Sequence, residues 1–255
     1  MYQEDDKVKS KVWLPILVVL GMAAFCQVAF EALGIPKFIL PKPSLILEAL
    51  WQDLPRILPH LEVTMMEAII GFAIAVTVGI LLSLVCLFLP TLRPIVVSGA
   101  YAVRNVPFVA IAPVLFIILG YGPTAKIVIV LIVSFFPVMS NLTAGFDSVN
   151  QNLLERLYLY RASRWQLFIK LQLPAAVPSF VTGLENAISN IIIAAIVGEL
   201  LGTTQGLGFV IMMTVSQYKI SSLMAVVVLV TVVSILTTWL FLKSVKWLFR
   251  RWLEC

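Results

Sequence analysis

Thr182, Glu185, Asn186, Ser189 and Asn190 stand at i, i+3, i+4, i+7 and i+8 in a run that is otherwise almost wholly apolar. That spacing puts five hydrogen-bonding groups on one face of a helix. Polar side chains are costly in hydrocarbon, so where they occur they mark a pathway, a relay or an interhelical bond. Arg104-Asn105 and Asn141 are further groups of this kind, and with Glu185, Asn186, Ser189 and Asn190 they are the candidate pathway or gate. At 1.5 Å per residue, Glu185 comes roughly 15 Å in from the nearer end of its run, close to a bilayer midplane. Two readings stay open. The stripe is a gate or transient solute contact, or Glu185 bridges to Arg104 or to an Asn and only holds helices together.

Other chemistry is poorly provided for. His60 has no cluster of Cys or carboxylates around it and is expected in a loop, and Cys26, Cys86 and Cys255 are too far apart for a metal site or a disulfide framework. No G-x-x-x-x-G-K-[ST] run occurs, so the chain is not expected to hydrolyse ATP by that chemistry. We therefore expect no catalytic residue, no metal and no cofactor bound by this chain.

The elements that position these groups follow from composition. Of 255 residues, 61% are hydrophobic and 12% charged, with a mean hydropathy of +1.03, whereas a soluble domain carries about a quarter charged residues. The net charge of +5 suits loops against anionic headgroups better than nucleic acid. Six apolar runs are long enough to span, at about 12–33, 63–89, 94–119, 124–145, 175–200 and 223–243. The first is too long for a cleaved signal, and Phe25 before Cys26 excludes a lipoprotein site. The runs are too long for barrel strands, so the expectation is an all-α integral membrane protein. Twelve Lys and Arg on the side of the termini face five on the other (Lys37, Lys42, Arg56, Lys126, Lys219), which puts both termini in the cytoplasm.

Within this plan, 1–11 is a cytoplasmic segment, 12–243 the transmembrane domain and 244–255 a cytoplasmic tail. The prolines of the 34–62 loop exclude one continuous helix there, although "PSLILEALWQDL" suits a short amphipathic helix from Pro43 on the outer face. Gly71, Ala75, Gly79 and Ser83 form a small-residue stripe for close packing, within the subunit or against a partner. No inverted halves with interrupted helices are visible, which argues against a secondary transporter.

Between the fourth and fifth runs lies a charged, aromatic insert, "ERLYLYRASRWQLFIKLQLP", within a hairpin at about 150–174. Leu153, Leu154 and Leu157 fall near helical spacing, as do Trp165, Phe168 and Ile169 after "RAS", with Ser163 as a cap. The pattern fits a solvated interfacial hairpin and a docking surface for a soluble partner equally well.

The insert resembles the cytoplasmic motif E-A-A-x3-G-x9-I-x-L-P of permease subunits of binding-protein-dependent ABC importers. Glu155 holds the Glu position, Leu171 the Ile position and Leu173-Pro174 the closing pair, with the spacing kept to the residue. Arg156-Leu157 replace the two alanines, and Arg161 stands where the family has its turn glycine. The stretches "LPKPSLILEAL", "VRNVPFVAIAPVLFIILGYGPTAKIVIV", "SFFPVMSNLTAGF" and "VGELLGTTQGLGFVI" are similar to the sulfonate, taurine and nitrate branch.

The resemblance implies a type I importer plan of six helices with a coupling hairpin. It also implies a homodimer of permeases, two cytoplasmic ATPases that hold ATP and Mg, and an extracytoplasmic binding protein, all at a prokaryotic plasma membrane. On it, Glu155, Arg156, Tyr160, Arg161, Ala162, Ser163, Arg164 and Trp165 are the ATPase contact. The cargo it implies is a small anion such as sulfonate, taurine, nitrate or bicarbonate. A carboxylate at Glu185, where anion-moving members are similar in having a basic residue, keeps a neutral or cationic vitamin-precursor pyrimidine as the alternative.

Overall fold

The computed structural model describes residues 17–18, 21–22, 24–34 and 39–253. Among these there are helices and no strands. Of the expected first span, 12–33, the described residues 17–18, 21–22 and 24–32 are helical, with α1 covering 24–32. Then come α2 (Pro43–Phe88), α3 (Arg93–Asn105), α4 (Phe108–Leu119), α5 (Pro123–Asp147), α6 (Gln151–Leu159) and α7 (Arg164–Leu167). A π-helical turn, Phe168–Gln172, leads into α8 (Leu173–Ile188), followed by α9 (Ile191–Glu199), α10 (Leu207–Ser216), α11 (Ile220–Leu248) and α12 (Arg250–Leu253).

Four stretches are long and apolar enough to cross a membrane: α2, α5, α7 through α9, and α11; the α3–α4 pair makes a fifth. The third expected span is not one rod, because α3 and α4 meet at 96°. Pro107 is the cause. Its ring keeps the preceding residue out of the helical region, and Val106 is extended at φ −71°, ψ 126°. The 34–62 expectation is also corrected: α2 begins at Pro43 as expected but runs unbroken through Pro55 and Pro59 to Phe88. Those prolines sit four apart, so the hydrogen bonds they remove fall on one face, and the flanking apolar turns carry the helix past them. His60 is accordingly helical, not in a loop.

Two compact units divide the chain. The smaller holds residues up to 58 with 210–229. In it Ile57 is buried, Arg56 Nη2 lies 3.3 Å from Met213 Sδ, and Lys42 pairs with Glu31 at 3.1 Å.

The larger unit, 59–209 with 230–255, is built around α5. A Cβ on Gly71 would come within 2.6 Å of Val130, and one on Gly79 within 2.9 Å of Val138. Ser83 Oγ donates to the Met139 carbonyl at 3.0 Å. The small-residue stripe of α2 therefore packs inside the subunit, against α5. On the other side of α5, a Cβ on Gly145 would meet Ala176, and one on Gly183 the Pro137 carbonyl, both at 2.9 Å.

The fifth span starts directly from the hairpin. Pro174 has no N–H, and its ring displaces the carbonyl four residues before it. The chain answers with a π turn, in which Leu173 N–H reaches back to the Phe168 carbonyl.

Filling the α2–α5 contact tests this packing. Gly79→Val is expected to destabilise the detergent-solubilised protein by about 1–3 kcal/mol, read as a lower melting temperature. Gly99→Ala, whose added Cβ meets nothing within 4 Å, should leave that temperature unchanged.

Candidate functional site

Five of the predicted pathway residues line one cavity of about 390 Å³: Arg104, Asn141, Asn186, Ser189 and Asn190. Arg104 lies in the last turn of α3, before the Pro107 bend, with its guanidinium 4.7 Å from the centre of the Phe136 ring on α5. That cation–π contact aims the charge at α5. Asn141 Nδ2 donates to the Pro137 carbonyl at 2.8 Å.

Asn186, Ser189 and Asn190 come from the place where α8 gives way to α9, and Ser189-Asn190 form the break. Their side chains turn back on the helix: Ser189 Oγ donates to the Glu185 carbonyl at 2.8 Å and Asn190 Nδ2 to the Asn186 carbonyl at 2.9 Å. Irregular backbone at membrane depth is tolerated where it lines a cavity, and this break does.

Asn105 and Glu185 do not line the cavity. Asn105 is exposed and Glu185 half-buried. Among the described residues no ion pair joins Glu185 to Arg104. The cavity lining carries one cation, three amides and two hydroxyls, with no carboxylate.

A second polar cluster was not anticipated. Lys126 of α5 is ion-paired with Glu67 of α2, both side chains only 5% exposed. Glu199, at the end of α9, is buried beside them; its Oε1 accepts from Thr64 Oγ at 2.7 Å and its Oε2 from Gly208 N–H at 2.8 Å. Thr64 Oγ also accepts from Leu207 N–H at 2.8 Å, and His60 Nδ1 from Gly206 N–H at 3.1 Å. Gly206 has φ +100°, and a Cβ there would come 2.2 Å from the Glu199 carboxylate, so only glycine fits.

The cluster ties three backbone N–H groups of residues 206–208 to α2 and α9. A signal for it existed: Glu67, Lys126 and Glu199 each fall inside an expected span, where charge marks function or pairing. Counting Lys126 among loop charges hid it.

The hairpin has the expected two helices, α6 and α7. Ser163 caps α7 reciprocally: Gln166 N–H donates to Ser163 Oγ at 3.2 Å and Ser163 N–H to Gln166 Oε1 at 2.9 Å. Arg161 itself takes the left-handed conformation, φ +57°, at a cost of about 1–2 kcal/mol relative to an unstrained residue. The turn thus keeps a glycine-type backbone with an arginine on it.

Glu155, Arg156, Tyr160, Arg161, Ser163, Arg164 and Trp165 are exposed, Tyr160 at 84%, while Ala162 is half-buried. The Trp165 ring lies tilted against Phe168 at 5.3 Å, and Phe168 in turn meets Phe88 of α2 at 5.3 Å. Through these rings the exposed hairpin is joined to the spanning helices.

Residues 75–253 match the family described as "Binding-protein-dependent transport system inner membrane component". The chain belongs to this family. The permease is 30% identical over 191 residues to the taurine transport system permease of Escherichia coli, covering 69% of this chain and 67% of that one. It is 29% identical to the formylaminopyrimidine transport permease of Halalkalibacterium halodurans, over 87% and 89% of the two chains. In fold it is similar to a methionine ABC transporter solved in an inward-facing conformation (TM-score 0.56, 20% identity, 81% of this chain and 98% of that one). It is an ABC importer permease subunit, a multi-pass, non-catalytic membrane component.

Two outcomes test the cluster and the turn. In the permease, Lys126→Met removes the one cation beside the buried Glu67 and Glu199 carboxyls and should cost about 3–5 kcal/mol of stability, read as a lower melting temperature. Arg161→Gly should raise the melting temperature slightly, because the left-handed turn no longer carries a Cβ.

Proposed function

We propose that the permease forms half of a homodimeric translocation pathway in a prokaryotic plasma membrane, with both termini cytoplasmic, and that the cavity at Arg104 is where cargo passes. The observation that carries this reading is the lining itself: an arginine, three asparagines and two serines beside a broken helix, with no carboxylate. Arg104, Asn186, Ser189 and Asn190 are exposed on this chain. Such groups are unfavourable against lipid, and a second copy across the pathway would shield them. Asn105 and Glu185 do not line it.

A small anion is the cargo the lining favours. The Arg104 guanidinium supplies charge-assisted bonds, and Glu185, which would repel an anion, stays out of the lining. Similarity to a taurine permease supports the same reading. A neutral pyrimidine is the second reading, supported by the three amides and by similarity to a formylaminopyrimidine permease.

Work enters by contact. ATPase subunits holding ATP and Mg would grip the hairpin at Glu155, Arg156 and Tyr160 through Trp165. Their closure would move α7 and, through the π turn, α8 and the break that lines the cavity. An extracytoplasmic binding protein would deliver the cargo. The coupling is then one between a nucleotide site and a transport site.

Vesicles carrying the permease, its ATPase and its binding protein discriminate the cargoes. Arg104→Gln should lower ATP-driven uptake of taurine or nitrate by about ten- to a hundred-fold, the loss of one charged hydrogen bond of about 1.5–3 kcal/mol. Unchanged anion uptake, or uptake confined to formylaminopyrimidine, would sink the anion reading. Arg164→Glu with Trp165→Ala should abolish copurification of the ATPase while leaving the permease folded.

A further inference from the structure

The polar faces of α3 and α5 continue past the Arg104 cavity. A second cavity of about 170 Å³ adjoins it, and Phe136 and Ser140 line both. On α3, Arg93, Val97 and Tyr101 of the second cavity and Arg104 of the first stand at i, i+4, i+8 and i+11, on one face of the helix. On α5, Phe136, Ser140, Thr143 and Asp147 stand at i, i+4, i+7 and i+11, again on one face. Together the two faces make a groove with an arginine at each end.

The arginines are roughly 16 Å apart along α3. Asp147 is the last residue of α5, so Arg93 marks the end of the groove beside the hairpin, whose first helix starts at Gln151. The Phe136 ring is the step between the cavities, with the Arg104 guanidinium 4.7 Å from its centre and the Tyr101 ring edge-on at 5.0 Å. Between Arg104 and the Arg93–Asp147 pair the lining is uncharged and includes the Tyr101 and Ser140 hydroxyls.

Arg93 already holds an oxyanion. Its Nη1 donates to Asp147 Oδ1 at 2.9 Å and its Nη2 to Oδ2, the two-pronged bond by which a guanidinium recognises planar oxyanions. The pair is open, its side chains 42% and 48% exposed, and an ion pair so exposed adds little to stability. The Asp147 carboxylate thus occupies a place that the oxygens of another small anion can take.

We infer that this groove is the leg of the pathway between the Arg104 cavity and the hairpin, and that Arg93 is a second anion contact, exchanging Asp147 for the passing anion. The inference rests on the reading of the Arg104 cavity as an anion passage. It adds a residue, Arg93, that decides which charge can leave by this route.

The test reads ATP-driven uptake of nitrate or taurine in vesicles carrying the permease, its ATPase and its binding protein. Arg93→Gln should lower uptake by about ten-fold or more, and Arg93→Lys, which keeps the charge, should restore part of it. Asp147→Asn breaks the same ion pair but leaves the Arg93 cation in place, and should keep uptake at the unaltered level. Equal losses in Arg93→Gln and Asp147→Asn would show that the pair only pins α3 to α5, and that result overturns the inference. So does unchanged uptake in Arg93→Gln.

A second route does not depend on how Arg93 variants fold. In a chain with Cys26, Cys86 and Cys255 replaced by alanine, Ala144→Cys puts a thiol in the groove, and Gly99→Cys puts one on another face of α3. Reaction with a sulfonated methanethiosulfonate before reconstitution should abolish uptake at Ala144→Cys and leave it intact at Gly99→Cys. Uptake that survives at Ala144→Cys, or is lost alike at both positions, overturns the groove. Arg104→Gln, run beside these, separates the inference from the reading beneath it. If Arg104→Gln lowers anion uptake and Arg93→Gln does not, the groove alone falls. If Arg93→Gln lowers it and Arg104→Gln does not, the passage at Arg104 falls and the Arg93 contact stands. A permease that takes up neither anion overturns both.

Discussion

Backbone-to-backbone approach at α5 is the constraint on which the larger unit depends. Glycines let α2 and α8 come within contact of it: Gly71 and Gly79 on α2, Gly183 on α8, and Gly145 on α5 itself. In lipid there is no hydrophobic drive between helices, so association rests on close van der Waals packing and on a few polar bonds. The Ser83 bond to the Met139 carbonyl is one of these. Because α5 is held in this way, its Asn141 and Phe136 face the cavity, and its Lys126 faces Glu67.

The irregular backbone is placed where it is useful. Pro107 turns α3 away from α4 directly after Arg104 and Asn105, Ser189-Asn190 interrupt the fifth span at the cavity, and Pro174 sets a π turn between hairpin and span. Each leaves backbone groups that hydrocarbon cannot satisfy. At the α8–α9 break the side chains of Ser189 and Asn190 take up carbonyls of α8.

Arg161 and the Glu67 trio show two ways of carrying strain. Arg161 holds a conformation suited to glycine while its side chain lies in the open. The trio instead concentrates charge in the interior, where breaking a pair is costly.

Much of this architecture was legible in residue order. Long apolar runs impose helices, since hydrocarbon leaves an isolated backbone few other ways to bond; the charge asymmetry, the Ser163 cap and the glycine stripe are local patterns. Period and spacing also brought Asn186, Ser189 and Asn190 to one face, because a helix repeats every 3.6 residues. Tertiary structure alone decided the rest. Pro55 and Pro59 were read as breaks, yet α2 stays helical through them, and local propensity carries no information about the surroundings that allow it. Glu185 belongs by spacing to the polar stripe but stays out of the cavity lining, while its neighbour Asn186 enters it. Glu67, Lys126 and Glu199 are far apart in sequence, and only the packing of α2, α5 and α9 reveals that one cation answers two carboxylates.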